Sequence, residues 1–298
     1  MTIDSAGAKI LLVDDNPANI DILIELLEEY DVRAVLDGES ALDTVQEEVP
    51  DLVLLDITMP GMDGFEVCRR LKDSSRTKEV PVIFLSASND DASVLKGFEV
   101  GGVDYITKPY RAKEVLARVK THIQLFIAMQ QLEKIATTDE LTGISNRRKF
   151  FMRSVKLIEQ AKNKRIPLYL AVIDMDGFKP INDNYGHDIG DAAIKAVVDA
   201  TKELMPPKIC FARLGGDEFT LMLTGTEEKV LKQLDLLRKK VETMRIPGSG
   251  VHVSLSIGVT RLSEDTDTIH SLLKRADKAL YHAKKAGGNK VAAHLKSS

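Results

Sequence analysis

Lys9-Ile-Leu-Leu-Val-Asp-Asp-Asn-Pro17 begins the first half of the chain with an apolar run that stops at Asp14 and a proline where a helix can start. The same order recurs, because short apolar runs at residues 51–55, 80–85 and 103–106 alternate with helical stretches. Apolar strands separated by helices predict a parallel sheet that is covered on both faces. The first half is therefore predicted to be a doubly wound α/β domain.

Polar side chains stand at the predicted ends of these strands. Asp14 and Asp15 follow the first strand, and Asp56, Ser86 and Lys108 follow the third, fourth and fifth. Since the carboxyl ends of parallel strands share one edge of a sheet, we expect these groups to lie together, where three carboxylates need a hard cation such as Mg²⁺. Each aspartate alone could be a helix N-cap, and the lysine could simply end a loop. The five together favour a binding site.

The composition excludes several classes of protein. The chain has 298 residues, 44% of them apolar, with 41 Lys and Arg and 45 Asp and Glu, which excludes disordered, collagen-like and disulfide-rich classes. Cys68 and Cys210 lie in different halves, so neither a disulfide framework nor a zinc site is indicated. No apolar run approaches the roughly 20 residues of a membrane span, and the first residues lack the pattern of a signal peptide. We expect a cytoplasmic protein with no membrane partner.

Charge divides the chain near residue 138. Residues 1–137 contain 14 basic and 25 acidic residues, a net charge of −11, whereas residues 138–298 contain 27 and 20, a net charge of +7. A basic second half could attract an anionic ligand such as a nucleotide, or it could be an ordinary solvated surface. The asymmetry supports a domain boundary here, and we predict no nucleic-acid partner.

Residues 8 to about 122 resemble a response-regulator receiver domain. The resemblance rests on Leu12-Val-Asp-Asp-Asn16, Leu55-Asp-Ile-Thr-Met-Pro-Gly-Met-Asp-Gly64, Ser86-Ala87 and Lys108-Pro109. It implies that a sensor histidine kinase is the phosphodonor and that Asp56 accepts the phosphoryl group. The other implied roles are Mg²⁺ binding by Asp14, Asp15, Asp56 and the Thr58 carbonyl, pairing of Lys108 with the phosphoryl oxygens, a hydrogen bond from Ser86 to the phosphate, and an inward swing of Tyr105. We assign the receiver domain to residues 1–122.

A long helix is predicted to follow the receiver domain. From residue 111 to about 136 the chain has no glycine or proline, and we assign a linker helix to residues 111–137 that continues the last receiver helix. One apolar stripe that can close the receiver core consists of Leu116, Val119, Ile123 and Phe126. A second, offset stripe consists of Leu125, Met129, Leu132 and Ala136. Its spacings favour a parallel two-stranded coiled coil over the alternative, a helix docked on the next domain.

The second half, residues 138–298, shows a different order of elements. Predicted strands lie at 168–173, 210–214, 219–223 and 251–259, and predicted helices at 149–163, 191–204, 227–244 and 269–286. The pattern predicts an α+β domain with a mainly antiparallel sheet flanked by helices. Asp174 ends the first strand, whereas Asp217 and Glu218 lie in a Gly-Gly-Asp-Glu hairpin turn between the second and third. Both places are sheet ends, where one metal ion can reach carboxylates from neighbouring strands.

Residues 138–292 resemble the GGDEF diguanylate cyclase domain. The matching segments are Asp139-Glu-Leu-Thr-Gly143, Asn146-Arg-Arg148, Asp174-Met-Asp-Gly-Phe-Lys179, Ile181-Asn-Asp183, Gly186-His187, Gly190-Asp191, Arg213-Leu-Gly-Gly-Asp-Glu-Phe219, Ser256-Ile-Gly258 and Ala276-Asp-Lys-Ala-Leu-Tyr281. The resemblance implies a homodimeric enzyme that condenses two GTP into cyclic di-GMP and releases two pyrophosphates. With the receiver domain, it makes a phosphorylation-activated diguanylate cyclase of a two-component system the leading hypothesis.

The same resemblance implies which residues form the cyclase site. The implied catalytic residues are Asp217, Glu218 and Lys179. The implied ligands of Mg²⁺ or Mn²⁺ are Asp174, the Met175 carbonyl and Asp217, with Glu218 at or beside a second metal ion. The implied substrate-binding residues are Asn182 and Asp191 for guanine, His187 beside them, Phe178 near the phosphates, and Lys284 at the family's lysine position. An aspartate accepts hydrogen bonds from guanine that adenine cannot offer, so Asp191 favours GTP over ATP.

Two elements of the sequence depart from the family pattern. Gly288 stands where the family usually has an arginine that can bind phosphate in a bidentate manner. Pro206 and Ile209 stand where the family's product-inhibition element has Arg and Asp, so that feedback site is expected to be absent. The first departure supports one alternative, a catalytically idle module that binds GTP and signals through protein contacts. A cyclase with a mixed or adenine product is a second alternative, which Asp191 disfavours.

Overall fold

The computed structural model describes residues 7–87, 91–206, 209–247, 249–263 and 266–295. The ends of the predicted receiver and GGDEF domains, residues 1–6 and 296–298, lie outside this part of the chain. By its internal contacts the chain divides into two units, Met1–Leu132 and Glu133–Ser298, and each is described by itself. Within the described ranges, no helix combines the length and the apolar composition that crossing a membrane requires.

The first unit alternates strands and helices throughout. Its elements are β1 (Lys9–Val13), α1 (Pro17–Leu26), β2 (Asp31–Val35), α2 (Gly38–Glu47), β3 (Leu52–Asp56), α3 (Gly64–Asp73), β4 (Val82–Ser86), α4 (Asp91–Glu99), β5 (Asp104–Thr107) and α5 (Ala112–Thr137), the last of which extends into the second unit. The strands form one parallel sheet in the order β2-β1-β3-β4-β5. The predicted doubly wound α/β fold is confirmed.

Alternate residues of the central strands face two separate cores. In β1, Ile10 and Leu12 pack in the core that α1 and α5 cover, whereas Leu11 and Val13 pack in the core on the side of α2 and α3. Both faces are therefore apolar, and the polar residues that follow the strands are confined to the carboxyl edge of the sheet.

Helix α5 has a buried part and an exposed part. Val119 and Ile123 of the first predicted stripe are fully buried, but Leu116 is exposed and its neighbour Val115 takes the buried position. Of the second stripe, Leu125, Met129 and Leu132 are exposed. The coiled coil stays a prediction.

The second unit is an α+β fold. After the end of α5 its elements are α6 (Arg147–Lys164), β6 (Leu168–Asp176), α7 (Phe178–Tyr185), α8 (His187–Leu204), β7 (Cys210–Gly215), β8 (Glu218–Thr224), α9 (Glu227–Thr243), β9 (Ser254–Arg261), α10 (Ile269–Lys285) and β10 (Val291–His294). The sheet order is β10-β9-β6-β8-β7, and each described pairing is antiparallel except that of β9 with β10. The predicted, mainly antiparallel sheet with flanking helices is confirmed.

The central strand β6 determines which residues reach each face of this sheet. Tyr169, Ala171, Ile173 and Met175 pack in the core that includes residues of α8 and α9, whereas Leu168, Leu170 and Val172 pack in the core that includes residues of α6 and α10. Side chains alternate along a strand, so Asp174 and Asp176 point to the α10 side. This alternation brings Asp174 close to Lys284 at the end of α10.

Candidate functional site

The first candidate site, called the aspartate site, consists of Asp14, Asp15, Asp56 and Lys108. Each of the three aspartates offers a carboxylate oxygen, and these oxygens lie within 4.8 Å of one another. Asp14 and Asp56 are buried, whereas Asp15 is exposed. The site forms because β1 and β3 are neighbours in a parallel sheet, so their carboxyl ends meet, as the sequence predicted.

Lys108 connects the two buried aspartates. Its Nζ donates to Asp14 Oδ2 at 2.8 Å and to Asp56 Oδ2 at 2.7 Å. Asn19 Nδ2 also donates to Asp14. Burial raises the pKa of Asp56, and the hydrogen bond from Lys108 only partly opposes this effect. The cluster therefore contains buried carboxylates that need positive charge, and its oxygen donors fit a hard divalent cation.

The residues predicted to respond to phosphorylation lie around this site. Ser86 is buried at the end of β4. The Thr58 N–H donates to Asp56 Oδ1 at 3.4 Å. The Tyr105 hydroxyl donates to the Ser93 carbonyl at 2.9 Å, and its ring packs on Phe84 with a centroid distance of 5.4 Å. Tyr105 is thus half-buried against α4, and its predicted swing stays a prediction.

The second candidate site, called the hairpin site, consists of Asp174, Asp217, Glu218 and Lys284. Asp174 pairs with Glu218 in the register of β6 and β8, and the Met175 N–H donates to the Asp217 carbonyl at 3.3 Å. These contacts place the Gly-Gly-Asp-Glu turn against the end of β6. Asp174 is buried, Asp217 is half-buried and Glu218 is exposed.

Lys284 neutralises only one carboxylate of the hairpin site. Its Nζ lies 2.7 Å from Asp174 Oδ1. Burial raises the pKa of Asp174, Lys284 opposes this rise, and the charges of Asp217 and Glu218 add to it. Two carboxylates and the nearby Met175 backbone form an oxygen-rich donor set that suits Mg²⁺ or Mn²⁺.

The predicted nucleotide-binding residues lie on α7 and on the first turns of α8. Asn182 Oδ1 is buried and has no hydrogen-bond partner within the described residues. Gly190 packs directly on it, because a Cβ there would lie 1.9 Å from that oxygen and 3.3 Å from the Phe178 ring. The other predicted side chains, Lys179, His187 and Asp191, are exposed. An unpaired buried acceptor beside exposed polar groups fits a ligand that donates hydrogen bonds.

An ion pair that the sequence analysis did not assign supports the hairpin turn. Arg213 Nη1 lies 3.1 Å from Asp139 Oδ1, and Arg213 Nε donates to the Gly216 carbonyl at 2.8 Å. Both charged residues belong to the matched segments, which was the available signal. The turn is therefore tied to the segment that follows α5.

The structure shows the surroundings of the three residues that depart from the family pattern, Pro206, Ile209 and Gly288. Pro206 is exposed and Ile209 is half-buried, so neither position offers a charged side chain. Gly288 has a φ of +71°, and a Cβ there would lie 3.1 to 3.3 Å from the Asp176 carboxylate. Asp176 is a second residue to which the sequence analysis gave no role.

Comparison with known proteins finds two matching families. The family described as diguanylate cyclase, GGDEF domain, matches residues 136–290, and the response regulator receiver domain matches residues 10–120. The response regulator PleD of Caulobacter vibrioides is 31% identical over 303 residues, which cover 97% of this chain and 66% of PleD. This chain thus spans just under two thirds of the length of that relative.

Solved structures are similar to the second half of the chain. The coiled coil and GGDEF domain of DgcB from Caulobacter crescentus, in complex with c-di-GMP, is 28% identical with a TM-score of 0.57, covering 61% of this chain and 98% of that chain. The diguanylate cyclase SiaD from Pseudomonas aeruginosa, in complex with its activator SiaC, is 29% identical with a TM-score of 0.52, covering 61% and 71%. Both resemblances inferred from the sequence are confirmed by the family matches.

Proposed function

Because this chain belongs to the diguanylate cyclase, GGDEF domain family, we propose that it is a phosphorylation-activated diguanylate cyclase that condenses two GTP into cyclic di-GMP. The observation that supports this most is the hairpin site itself. Asp174, Asp217 and Glu218 lie at one end of the sheet with Lys284, in the domain whose Asn182 Oδ1 is a buried acceptor without a partner among the described residues.

The guanine end of the substrate is bound by α7 and α8 in this proposal. Asn182 Oδ1 accepts a hydrogen bond from the base, which satisfies the buried oxygen. The Asp191 carboxylate accepts from the ring N–H and the exocyclic amine of guanine, and His187 borders the pocket. Adenine does not present these donors together, so GTP rather than ATP is the substrate.

The triphosphate end is bound at the hairpin site. Asp174, the Met175 carbonyl and Asp217 would hold Mg²⁺ or Mn²⁺, with Glu218 beside a second ion. Such ions, when bound, neutralise the triphosphate and polarise the α-phosphorus. Lys284 exchanges its contact with Asp174 for the phosphate oxygens, and the exposed Lys179 stabilises the charge that develops as pyrophosphate leaves.

The reaction needs two copies of the domain. The 3′-oxygen of each GTP attacks the α-phosphorus of the other, each attack releases one pyrophosphate and one proton, and the two new bonds close the ring. One domain offers one nucleotide pocket, so the proposal requires a homodimer. The exposed stripe Leu125, Met129 and Leu132 on α5 supports a coiled coil as the dimer contact.

The aspartate site supplies the regulation in this proposal. A sensor histidine kinase donates a phosphoryl group to Asp56, where Mg²⁺ is held by Asp14, Asp15, Asp56 and the Thr58 carbonyl. Lys108 and Ser86 bind the added phosphate, and Tyr105 moves in response. We keep the division into a receiver domain (1–122), a linker helix (111–137) and a cyclase domain (138–298). A cytoplasmic location is part of the proposal, because GTP is an intracellular substrate.

Product analysis tests this function. Purified protein is incubated with Mg²⁺ and GTP, with and without beryllofluoride, and the products are identified by mass spectrometry, with Asp56→Asn as the control for phosphate mimicry. We expect cyclic di-GMP, formed faster with beryllofluoride, and a specific activity that rises with protein concentration. GTP binding without turnover would support the idle-module alternative that Gly288 raises. An adenine-containing product from mixed GTP and ATP would contradict the role of Asp191.

A further inference from the structure

Asp176 is the last residue of β6 and lies two positions after Asp174, but its carboxylate oxygens accept hydrogen bonds from other parts of the domain. Its Oδ1 accepts from the Ser256 hydroxyl at 2.6 Å, and its Oδ2 accepts from the Ser254 hydroxyl and from the Asn289 N–H, both at 2.8 Å. Both oxygens are therefore held by groups of the protein. These bonds connect the end of β6 to β9 and to the turn between α10 and β10.

The turn between α10 and β10, residues 287–289, lies tightly against this carboxylate. Gly288 has a positive φ, and any Cβ at that position would be 3.1 to 3.3 Å from the carboxylate atoms of Asp176. A side chain at residue 288 would therefore be strained and would push the turn away from Asp176. The glycine at this departure from the family pattern allows the close approach.

Helix α9 holds the other side of the same turn. Arg238 Nη1 donates to Asn289 Oδ1 at 2.9 Å, and Asn289 Nδ2 donates to Glu242 Oε1 at 2.7 Å. The Arg238 side chain is largely buried and also pairs with Asp235. Asn289 is thus fixed by its side chain to α9 and by its N–H to Asp176, so the turn has a defined position.

The turn is joined to Lys284 through the backbone, because the Gly287 N–H donates to the Lys284 carbonyl at 3.1 Å. Lys284 lies in the last turn of α10, and its flexible side chain makes an ion pair with Asp174. We propose that Asp176 is a positioning residue for the proposed cyclase reaction: through Asn289 it fixes the end of α10 and so directs the Lys284 ammonium to the triphosphate site. This inference rests on the proposed function and extends it by one residue that does not touch the substrate.

A double-mutant cycle tests the link between Asp176 and Lys284 in the full-length protein. Asp176→Asn replaces the charged acceptor with a neutral amide, so the bond from the Asn289 N–H loses its charge-assisted strength whichever way the amide is turned. We expect it to lower kcat/KM by about tenfold or more, as small misplacements of reacting groups do. Lys284→Ala should then cost much less in the Asp176→Asn background than in the wild type, because the lysine is already displaced.

A matched control separates positioning from general stability. Asp267 is buried and accepts from Arg275 at 2.6 Å and from the Ser263 N–H at 2.9 Å, but it lies at the opposite end of α10. Because Asp176 is only half-buried, Asp267→Asn should lower Tm at least as much as Asp176→Asn does, while leaving kcat/KM within about twofold. Asn289→Gly is the second variant: it keeps the N–H bond to Asp176 but frees the turn from α9, and a several-fold loss is expected.

The same double-mutant cycle, measured as calorimetric binding of GTPαS, tests the positioning role of Asp176 separately from the proposed cyclase activity. Non-additive losses of affinity would support the role of Asp176 even if the wild type turned over no GTP, which would overturn the proposed function alone. Additive losses for Asp176→Asn and Lys284→Ala, or equal loss of kcat/KM in Asp267→Asn, would overturn the positioning role. A wild-type protein that binds no nucleotide would overturn both.

Discussion

The aspartate site and the hairpin site both combine carboxylates with one lysine, but the lysine compensates more of the negative charge in the aspartate site. In each, a lysine from a later element approaches carboxylates at the end of a central strand. Lys108 binds two aspartates and its side chain is 20% exposed, whereas Lys284 binds one and is 44% exposed. The first site is assembled within one sheet edge. In the second, Asp217 and Glu218 have no cationic partner in the described part of the chain, so a metal ion is needed to compensate their charge.

The difference follows from the two sheets. A parallel sheet places the ends of all its strands at one edge, so Asp14 and Asp56 meet without further help. An antiparallel sheet alternates strand ends between two edges, so Asp174 meets other carboxylates only because a hairpin turn brings Asp217 back to it. Arg213, which pairs with Asp139, also donates to the Gly216 carbonyl of that turn. An antiparallel site thus depends more on contacts outside the sheet.

The largest effect is expected at the hairpin carboxylates. Asp217→Ala should lower turnover by about a thousandfold with the fold intact, because a carboxylate of the proposed metal site is lost and the stabilisation it supports amounts to several kcal/mol. Turnover of GTP and Tm are measured together, with the exposed Asp199→Ala on α8 as the control. Asp191→Ala should instead weaken selectivity for GTP over ATP. Near-normal turnover in Asp217→Ala would remove the hairpin site from the mechanism.

In the absence of metal ions, Lys108 should contribute more to the free energy of unfolding than Lys284 does. Lys108→Ala leaves the buried Asp14 and Asp56 without a cation and should destabilise the first unit by about 3 kcal/mol in EDTA. Saturating Mg²⁺ should restore most of this loss, because the ion binds only the folded site. Lys284→Ala, at the more open site, should cost less than about 1 kcal/mol.

Hydrogen exchange of peptides from β1 and β6 measures these local stabilities in the same protein. Lys113→Ala, an exposed position on α5, serves as the control for lysine removal. A loss in Lys108→Ala that persists at saturating Mg²⁺ would show that the aspartate site does not take the ion. Equal losses for the two lysines in EDTA would remove the contrast between the sites.

The sequence predicted the strand ends better than the elements between them. Asp14, Asp56 and Asp174 directly follow unambiguous apolar runs, so the pattern alone placed them near the carboxyl ends of strands, although β6 continues for two residues beyond Asp174. Helix α7 and strand β10 were not predicted, because Phe178–Tyr185 lacks a long periodic stripe and Val291–His294 is short and half-exposed. Helix α8 begins at His187 rather than at the predicted residue 191.

The sequence patterns could not predict contacts between segments that are far apart in the chain. The Asp139–Arg213 pair joins residues 74 positions apart, and the bond from Asn289 to Asp176 spans 113 positions. Strand β9 begins at Ser254 rather than at residue 251, and only the sheet register shows that its two serines face Asp176. Neither periodicity nor turn chemistry contains this information, because it depends on how the sheet is assembled.

A smaller effect is expected at the proposed guanine-binding residues of α7 and α8. There Gly190→Ala tests the role of Asn182 Oδ1, which has no hydrogen-bond partner among the described residues. The new Cβ would lie 1.9 Å from Oδ1, and the flexible amide can rotate away, so the fold survives but the acceptor leaves the pocket. KM for GTP should rise by about tenfold, because a lost hydrogen bond and a displaced group together cost over 1 kcal/mol.

Two comparisons sharpen this test of the guanine pocket. In an Asn182→Ala background, Gly190→Ala should have little further effect on KM, because the displaced group is already absent. Gly258→Ala should instead lower Tm, since its Cβ would lie 2.1 Å from the Ala276 carbonyl in the backbone of α10. An unchanged KM in a well-folded Gly190→Ala would exclude Asn182 from nucleotide binding.

The smallest effect concerns the pair that supports the hairpin turn. Burial alone would raise the pKa of Asp139, but hydrogen bonds from Thr142 and Arg213 outweigh burial and lower it below its ordinary value. A carboxyl whose pKa is lowered by folding contributes stability above the ordinary pKa of about 3.9, and this contribution is lost as the pH falls through the lower folded value. Asp139→Asn should therefore destabilise the β7–β8 hairpin by about 1 kcal/mol at pH 7, since the pair is partly solvated.

The pH dependence decides whether that contribution is electrostatic. Hydrogen exchange of the β7–β8 hairpin is compared between wild type and Asp139→Asn at pH values from 7 down to about 3, after correction for intrinsic exchange rates. The difference should be constant above about pH 5 and shrink below the ordinary carboxyl pKa, because wild-type Asp139 then becomes protonated as well. A difference that does not change with pH would mean that Asp139 acts through hydrogen bonds, such as those from Thr142, that the asparagine does not reproduce, rather than through its charge on Arg213. The hairpin site would then be supported by packing and neutral hydrogen bonds, and its contrast with the charge-compensated aspartate site would be greater than proposed.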